Sequence, residues 1–268
     1  MDLNHIKSKL GALQSQRQGG QKRDLSQIIW KPAVGKHSVR IVPSAFNKSN
    51  PFKEMFMHYG IGNRAMTSLI NFDEKDPIVE FAKQLKQSND KENWSMARKL
   101  EPKMRVFVPV IVRGEEDKGV RLWEFGKQVY MELLSIAEDE DVGDYTDPIQ
   151  GRDITIETTD GKTNGTNFNQ SKVRVRTKTT PLSDDAEDVK KWLAEQPDPL
   201  TLFKRYPYDE MKAALLEWLN PESEATPVPT ETAAIEDKEE PKAAYALNTK
   251  KSNVDEEFDE LFNITKKK

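Results

Sequence analysis

The stretch MRVFVPVIVRGEEDKGVRLWEFG, Met104 to Gly126, constrains the fold more than any other part of the chain. Val106, Val108, Val110 and Val112 recur at every second position, which places them on one face of a β-strand. Arg105, Phe107, Pro109, Ile111 and Arg113 take the opposite face. Gly114 to Gly119 reads as a turn, and Val120 to Gly126 returns as a second strand, so the segment is a hairpin. The returning strand has Val120, Leu122 and Glu124 on one face and Arg121, Trp123 and Phe125 on the other. A helix follows from Lys127 to Ala137, with Val129, Leu133, Leu134 and Ile136 as its apolar side.

The same periods order the rest of the chain. His37 to Ser44 is a strand with Val39 and Ile41 on one face and Arg40 on the other. Pro51 to Phe72 shows no clear period and reads as irregular. Asp76 to Gln87 is a helix, with Asp76 as its cap, Pro77 in the first turn, and Ile78, Phe81, Ala82 and Leu85 along one side. Arg152 to Lys178 is a further hairpin, turned at Asp160-Gly161 and Asn164-Gly165. Ile154, Ile156, Val173 and Val175 face inward, and Lys172, Arg174, Arg176 and Lys178 face away. Helices follow at Asp184 to Ala194 and Tyr208 to Leu219. Strands joined by turns with helices between them predict an α+β domain built on a small barrel or strongly curved sheet.

Charge divides the chain more sharply than the net value of −4 suggests. After Asn220 stand twelve acidic and seven basic residues; before it stand thirty-three and thirty-four. Residues 1–25 form a basic arm, 26–220 the folded core, and 221–268 a Pro-, Ala-, Thr- and Glu-rich linker with an acidic tail, VDEEFDELF, that spaces Phe258, Leu261 and Phe262 at i, i+3 and i+4. The arm and the linker are expected to be flexible. The tail reads either as a solubilising extension or as a motif that docks on a basic partner through those three apolar residues.

Several classes of chemistry fall away. The chain has no cysteine, hence no disulfide, thiolate metal site or cysteine nucleophile. His5, His37 and His58 are scattered without metal-ligand spacing, and no phosphate-binding glycine loop is present. No catalytic residue, metal or cofactor is assigned. No apolar run approaches a membrane span, and no secretory leader is visible, so the expectation is a soluble intracellular protein.

What remains is a surface reading. Arginine and lysine mixed with Phe107, Trp123 and Phe125 on the non-valine faces suit a single-stranded nucleic acid, because guanidinium groups pair with phosphates and flat rings stack on unpaired bases. The candidate contacts are Arg105, Phe107, Arg113, Arg121, Trp123, Phe125, Lys172, Arg174 and Arg176, with Arg40, Arg98, Lys99 and Lys103 nearby. The competing reading packs the rings beneath the following helix and leaves the cations as a solvated face. Three functions stay open on these grounds: a single-strand-binding protein for DNA or RNA, an adaptor whose sheet docks an acidic protein, and a nuclease.

WKPAVGKHSVRIVPS from Trp30, MRVFVPVIV from Met104, and above all WEFGKQVYMELL from Trp123 resemble the single-stranded-DNA-binding protein of T-even-like tailed bacteriophages. The resemblance runs in order from Trp30 to Leu219. It implies an OB-fold core with helical insertions, cooperative coating of single strands in viral replication, recombination and repair, and no catalysis. It also implies a basic arm that docks on the neighbouring protomer, here Lys7, Lys9 and Arg17, and an acidic tail that recruits viral replication and recombination proteins. Trp123 and Phe168 fall on family aromatics of the DNA cleft. The cytoplasm of an infected bacterial host is the implied location. The family carries a zinc module that needs one histidine and three cysteines. His58 stands where the histidine would be, and every thiolate is missing. Pro51 to Glu101 is therefore expected to be metal-free and held by Met55, Phe56, Leu69, Phe72, Ile78, Phe81 and Leu85.

Overall fold

The computed structural model describes residues 25–61, 64–88 and 90–220. Its centre is an eight-stranded sheet: β1 (Ile29–Trp30), β2 (Gly35–Ile41), β3 (Lys53–Ile61), β4 (Arg64–Thr67), β5 (Lys103–Val112), β6 (Arg121–Gly126), β7 (Arg152–Thr159) and β8 (Gln170–Thr179). The main path runs β1-β6-β5-β2-β7-β8, and β3 adds beside β5 with β4 on its far side. All pairs are antiparallel except β1 with β6. The sheet curls until Trp30 of β1 meets His37 of β2 with ring centroids 5.8 Å apart, although two strands separate them in the sheet. The result is an α+β architecture with an OB-fold-like curved core.

β5 organises the sheet. β6 takes one edge along Arg105–Val110. The other edge is shared: Lys103–Phe107 pair with β3, and Val110–Val112 pair with β2. Pro109 sits at the gap between these two partners. Its carbonyl accepts from Val42 N at 2.9 Å, so the edge on which it lacks an N–H is the one where no strand is in register to receive it.

Helix α3 (Lys127–Ala137) closes the concave side. Val129, Tyr130 and Leu133 bury against Val106, Val108, Val110, Val39, Ile41, Ile154, Ile156 and Val173. The opposite side of β5 is also covered. Phe107, Leu122 and Met55 pack beneath Leu200, Leu202 and Phe203, in and just after α5 (Pro199–Leu202). Ile111 and Val42 pack beneath Leu182 and Trp192, the latter on α4 (Ala186–Ala194).

A second core lies beside the sheet. The hairpin β3–β4, α1 (Pro77–Gln87), α2 (Lys91–Leu100) and α6 (Tyr208–Leu219) bury Ile61, Met66, Leu69, Ile78, Phe81, Leu85, Leu100, Met211 and Leu215 together. Of the side chains expected to hold this region, Leu69, Phe72, Ile78, Phe81 and Leu85 belong to it, whereas Met55 packs with Phe107 instead. Pro51 to Phe72 is not irregular. Its alternation is hidden because both faces of β3 carry apolar residues, a pattern that periodicity does not resolve.

Asp76 ties this region together. Its Oδ1 accepts from Ile78 N and Val79 N at 3.0 and 3.2 Å, capping α1. Its Oδ2 accepts from Ser68 Oγ at 2.6 Å and Leu69 N at 3.0 Å, and lies 3.1 Å from His58 Nε2. Burial pushes the Asp76 carboxyl up, but hydrogen bonding and the charge of His58, with the Ser68 and Val79 bonds, hold it below the usual carboxylate value. A depressed folded value means that Asp76 stabilises at neutral pH and gives this up only as pH falls below about 4, the unfolded value. Asp76→Ala is expected to cost about 3–5 kcal/mol, the range for breaking one side of a buried pair. Urea unfolding at pH 7 measures this, and the difference between variant and parent should shrink in strong acid.

Candidate nucleic-acid interface

The register of β5 and β6 decides where the predicted rings go. Val108 pairs with Trp123 and Val106 with Phe125, so the rings share the valine face. Both lie inside the concave core, 1% and 5% exposed. Trp123 touches Phe125 at 4.5 Å between centroids and Trp30 at 6.2 Å; Phe52 bridges from Phe125 to Tyr130 of α3. Phe107, on the other face, is 1% exposed and meets Phe203 at 5.4 Å. The expectation that Phe107, Trp123 and Phe125 line an outer channel is therefore corrected. None of the three presents a face on which a base could stack.

Four of the predicted cations are structural ties rather than open phosphate contacts. Arg40 is fully buried. It donates to the carbonyl of Asp147 and lies so close to Gly151 that a Cβ there would sit 2.3 Å from Nη2. Burial pulls its guanidinium down to about 10, opposed by Asp153 and reinforced by Arg113, so it keeps its charge at neutral pH. Arg113 donates to Asp153 Oδ1 at 2.9 and 3.1 Å and to the carbonyls of Pro181 and Leu182. Arg121 is buried and donates to Glu115 at 2.7 Å. Arg105 is half-buried and donates to Glu124 at 2.7 Å, with Lys31 also on Glu124 at 3.2 Å. The planar fork of Arg113 spans several acceptors at once, whereas Arg40 and Arg121 each leave buried N–H groups without a hydrogen-bond partner.

The remaining predicted residues are exposed and fall in two groups. Lys172, Arg174 and Arg176 stand along the outer face of β8. Their cross-strand neighbours are Glu157 opposite Lys172 and Thr155 opposite Arg174, and Lys36 and Ser38 continue these rows on β2. Phe168 precedes β8 and is 69% exposed. Its loop is tightly built. Thr166 N donates to Gly161 O at 2.8 Å, Thr166 Oγ1 to Phe168 O at 3.0 Å, and Asp160 caps the turn through Lys162 N. Gly161 faces the Phe168 backbone so closely that a Cβ would lie 2.3 Å from its carbonyl oxygen.

The second group is Arg98 and Lys99 in the last turn of α2 and Lys103 at the start of β5. Lys103 and Val110, where β2 joins, are separated by ~23 Å of strand at about 3.3 Å per residue. The cations thus do not gather in one place along β5.

Sequence reasoning missed Trp94, which is 46% exposed on α2 with the Arg98 guanidinium 4.9 Å from its ring. The i, i+4 spacing of Trp94 and Arg98 and the Asp90 cap were the available signals. Lys7, Lys9 and Arg17, expected to serve self-association, and Phe258, Leu261 and Phe262, expected to bind partners, lie outside the described residues. Among the described residues no helix is long and apolar enough to cross a membrane.

The family model described as gp32 DNA binding protein like matches residues 33–216, well over half of the chain. The chain belongs to the gp32-like family. No curated protein matches it. The matched span begins just before β2 and ends within α6, so it takes in the curved sheet and the second core together. As a gp32-like protein this chain is a single-stranded-DNA-binding protein.

Trp123→Ala is expected to act on the fold. Its loss should destabilise by about 3–5 kcal/mol, the range for truncating a buried large aromatic. A shift of the urea midpoint together with unchanged affinity of the folded fraction for oligo(dT) is the expected pair of results.

Proposed function

We propose that this protein coats single-stranded DNA non-catalytically during viral DNA replication, recombination and repair, in the cytoplasm of an infected bacterial host. The observation that carries the reading is the family match across residues 33–216. The outer face of β8 gives it a physical basis. Lys172, Arg174 and Arg176 repeat at every second residue, about 6.6–6.8 Å apart along a strand, within reach of successive phosphates of an extended chain. Phe168 stands at one end of this row as a stacking face for an unpaired base, and Trp94 with Arg98 offers a second face on α2. A duplex hides its base faces from such rings, so the arrangement favours single strands.

On this reading Lys7, Lys9 and Arg17 serve self-association along the strand. Phe258, Leu261 and Phe262 in the acidic tail recruit replication and recombination proteins. The resemblance to the T-even-like proteins supports both roles.

Titration with poly(dT) and with duplex, followed by tryptophan fluorescence at several salt concentrations, tests the proposal. Single strands should bind and quench, and duplex should bind far more weakly. Replacing Lys172, Arg174 and Arg176 together by alanine should lower the slope of log affinity against log salt by about 2, at ~0.7 per phosphate contact for single strands. Phe168→Ala should cost about 1–3 kcal/mol of affinity. An unchanged slope would remove β8 from the interface, and equal affinity for duplex would refute the single-strand reading.

A further inference from the structure

His58 lies on β3 with its side chain fully buried. Its Nδ1 is 3.1 Å from the carbonyl oxygen of Leu100, and its Nε2 is 3.1 Å from Asp76 Oδ2. A carbonyl oxygen only accepts, so Nδ1 must carry a proton. Asp76 receives hydrogen bonds from Ser68 Oγ, Leu69 N, Ile78 N and Val79 N, which occupy both of its oxygens as acceptors. The ring of His58 is thus held between the Asp76 carboxyl and the Leu100 carbonyl, with Nδ1 donating to the latter.

The zinc that the resemblance implies does not fit here. A structural zinc takes four ligands, with nitrogen at about 2.0–2.1 Å. The chain offers no thiolate. Both nitrogens of His58 are engaged, and among the described residues no group of three or more His, Asp or Glu side chains comes together as a metal site.

We propose that His58 is a positioning residue, a hydrogen-bonded clasp in the place of the metal cross-link that the resemblance implies. It joins β3 to the N-terminus of α1 through Asp76, and to the C-terminus of α2 through Leu100. Leu100 directly follows Arg98 and Lys99 and shortly precedes Lys103. The clasp thus sets where these three cations, and Trp94 one turn earlier, stand relative to the sheet. The part of this inference that concerns DNA rests on the function proposed above.

The test uses the full chain labelled with ¹⁵N-histidine. Long-range proton–nitrogen spectra at pH 7 should show a proton on His58 Nδ1, with the signal assigned by its absence from His58→Gln. An Nδ1 without a proton overturns the proposal. EDTA and added zinc should each leave the melting temperature unchanged; stoichiometric zinc uptake with a higher melting temperature overturns it as well. His58→Gln should bind oligo(dT) several-fold more weakly than the parent under conditions where both are folded, and parental affinity would refute the positioning role. If His58→Gln does not fold, the signal is assigned instead by its remaining in spectra of His5→Gln and His37→Gln, and oligo(dT) affinity is read from His58→Asn. His58→Asn keeps an N–H donor near the place of Nδ1, so it should bind like the parent if the Leu100 contact is what matters; a several-fold loss in folded His58→Asn would overturn the clasp. Failure of the parent itself to bind oligo(dT) would count against the functional reading alone, because the ring spectrum and the zinc response decide the clasp without DNA.

Discussion

The fold depends on β5 being a strand with three partners and two buried faces. Every residue from Val106 to Val112 is buried. One edge is committed to β6, and the other is divided between β3 and β2. That division sends the chain in two directions: through β3 toward the second core, and through β2 toward the β7–β8 hairpin. A strand in this position cannot also be a binding surface. Its side chains are the filling of two cores, and the surfaces that meet solvent belong to the elements it holds in place.

The buried arginines follow from the same constraint. Where the curved sheet is covered by loops, polar backbone groups are carried inside and need partners. Arg40 meets the carbonyl of Asp147, and Arg113 meets those of Pro181 and Leu182 while pairing with Asp153. These guanidinium groups fix the loops between α3 and β7 and after β8 against the outer side of β2 and β5. Lysine, a point charge without the planar fork, would not span the acceptors of Arg113. It is consistent that the exposed outer row includes Lys172 and Lys36, whereas the fully buried cation is an arginine.

Much of the fold was legible because most elements kept a single clean period. Lys127–Ala137 and Tyr208–Leu219 show their apolar stripes plainly, and Asp76 with Pro77 marks a helix start by capping and fixed φ alone. α2 was not legible, since KENWSMARKL buries only Asn93, Ala97 and Leu100, too thin a stripe to register. The site was misread at Trp123 for a different reason. Alternation sorts residues within one strand into two sets, but it does not say which set of the next strand lies on the same side; register does. The uninterrupted apolar run from Val106 to Val112 was the stronger signal, because such a run marks a strand buried on both faces. Arg105 and Arg113 flank that run at its ends and give it a false look of a cationic face.

Removing the structural arginines from the count changes how an acidic chain meets a polyanion. A net charge of −4 does not decide the matter, because exposed charges act over about 10 Å at 0.1 M salt. What a nearby phosphate senses is the local row. On the outer face of the hairpin, Glu157 lies between Lys36 and Lys172 and offsets part of their charge, while Arg174 has neutral Thr155 and then Ser38 beside it. Arg174 and Arg176 thus stand at one end of the row, and Phe168 lies at the other end, past Lys172. In the function proposed here, a strand held by its phosphates at the first end would present an unpaired base to the ring at the second. Charge would set the affinity, and the tightly built loop at Gly161 would set where stacking occurs.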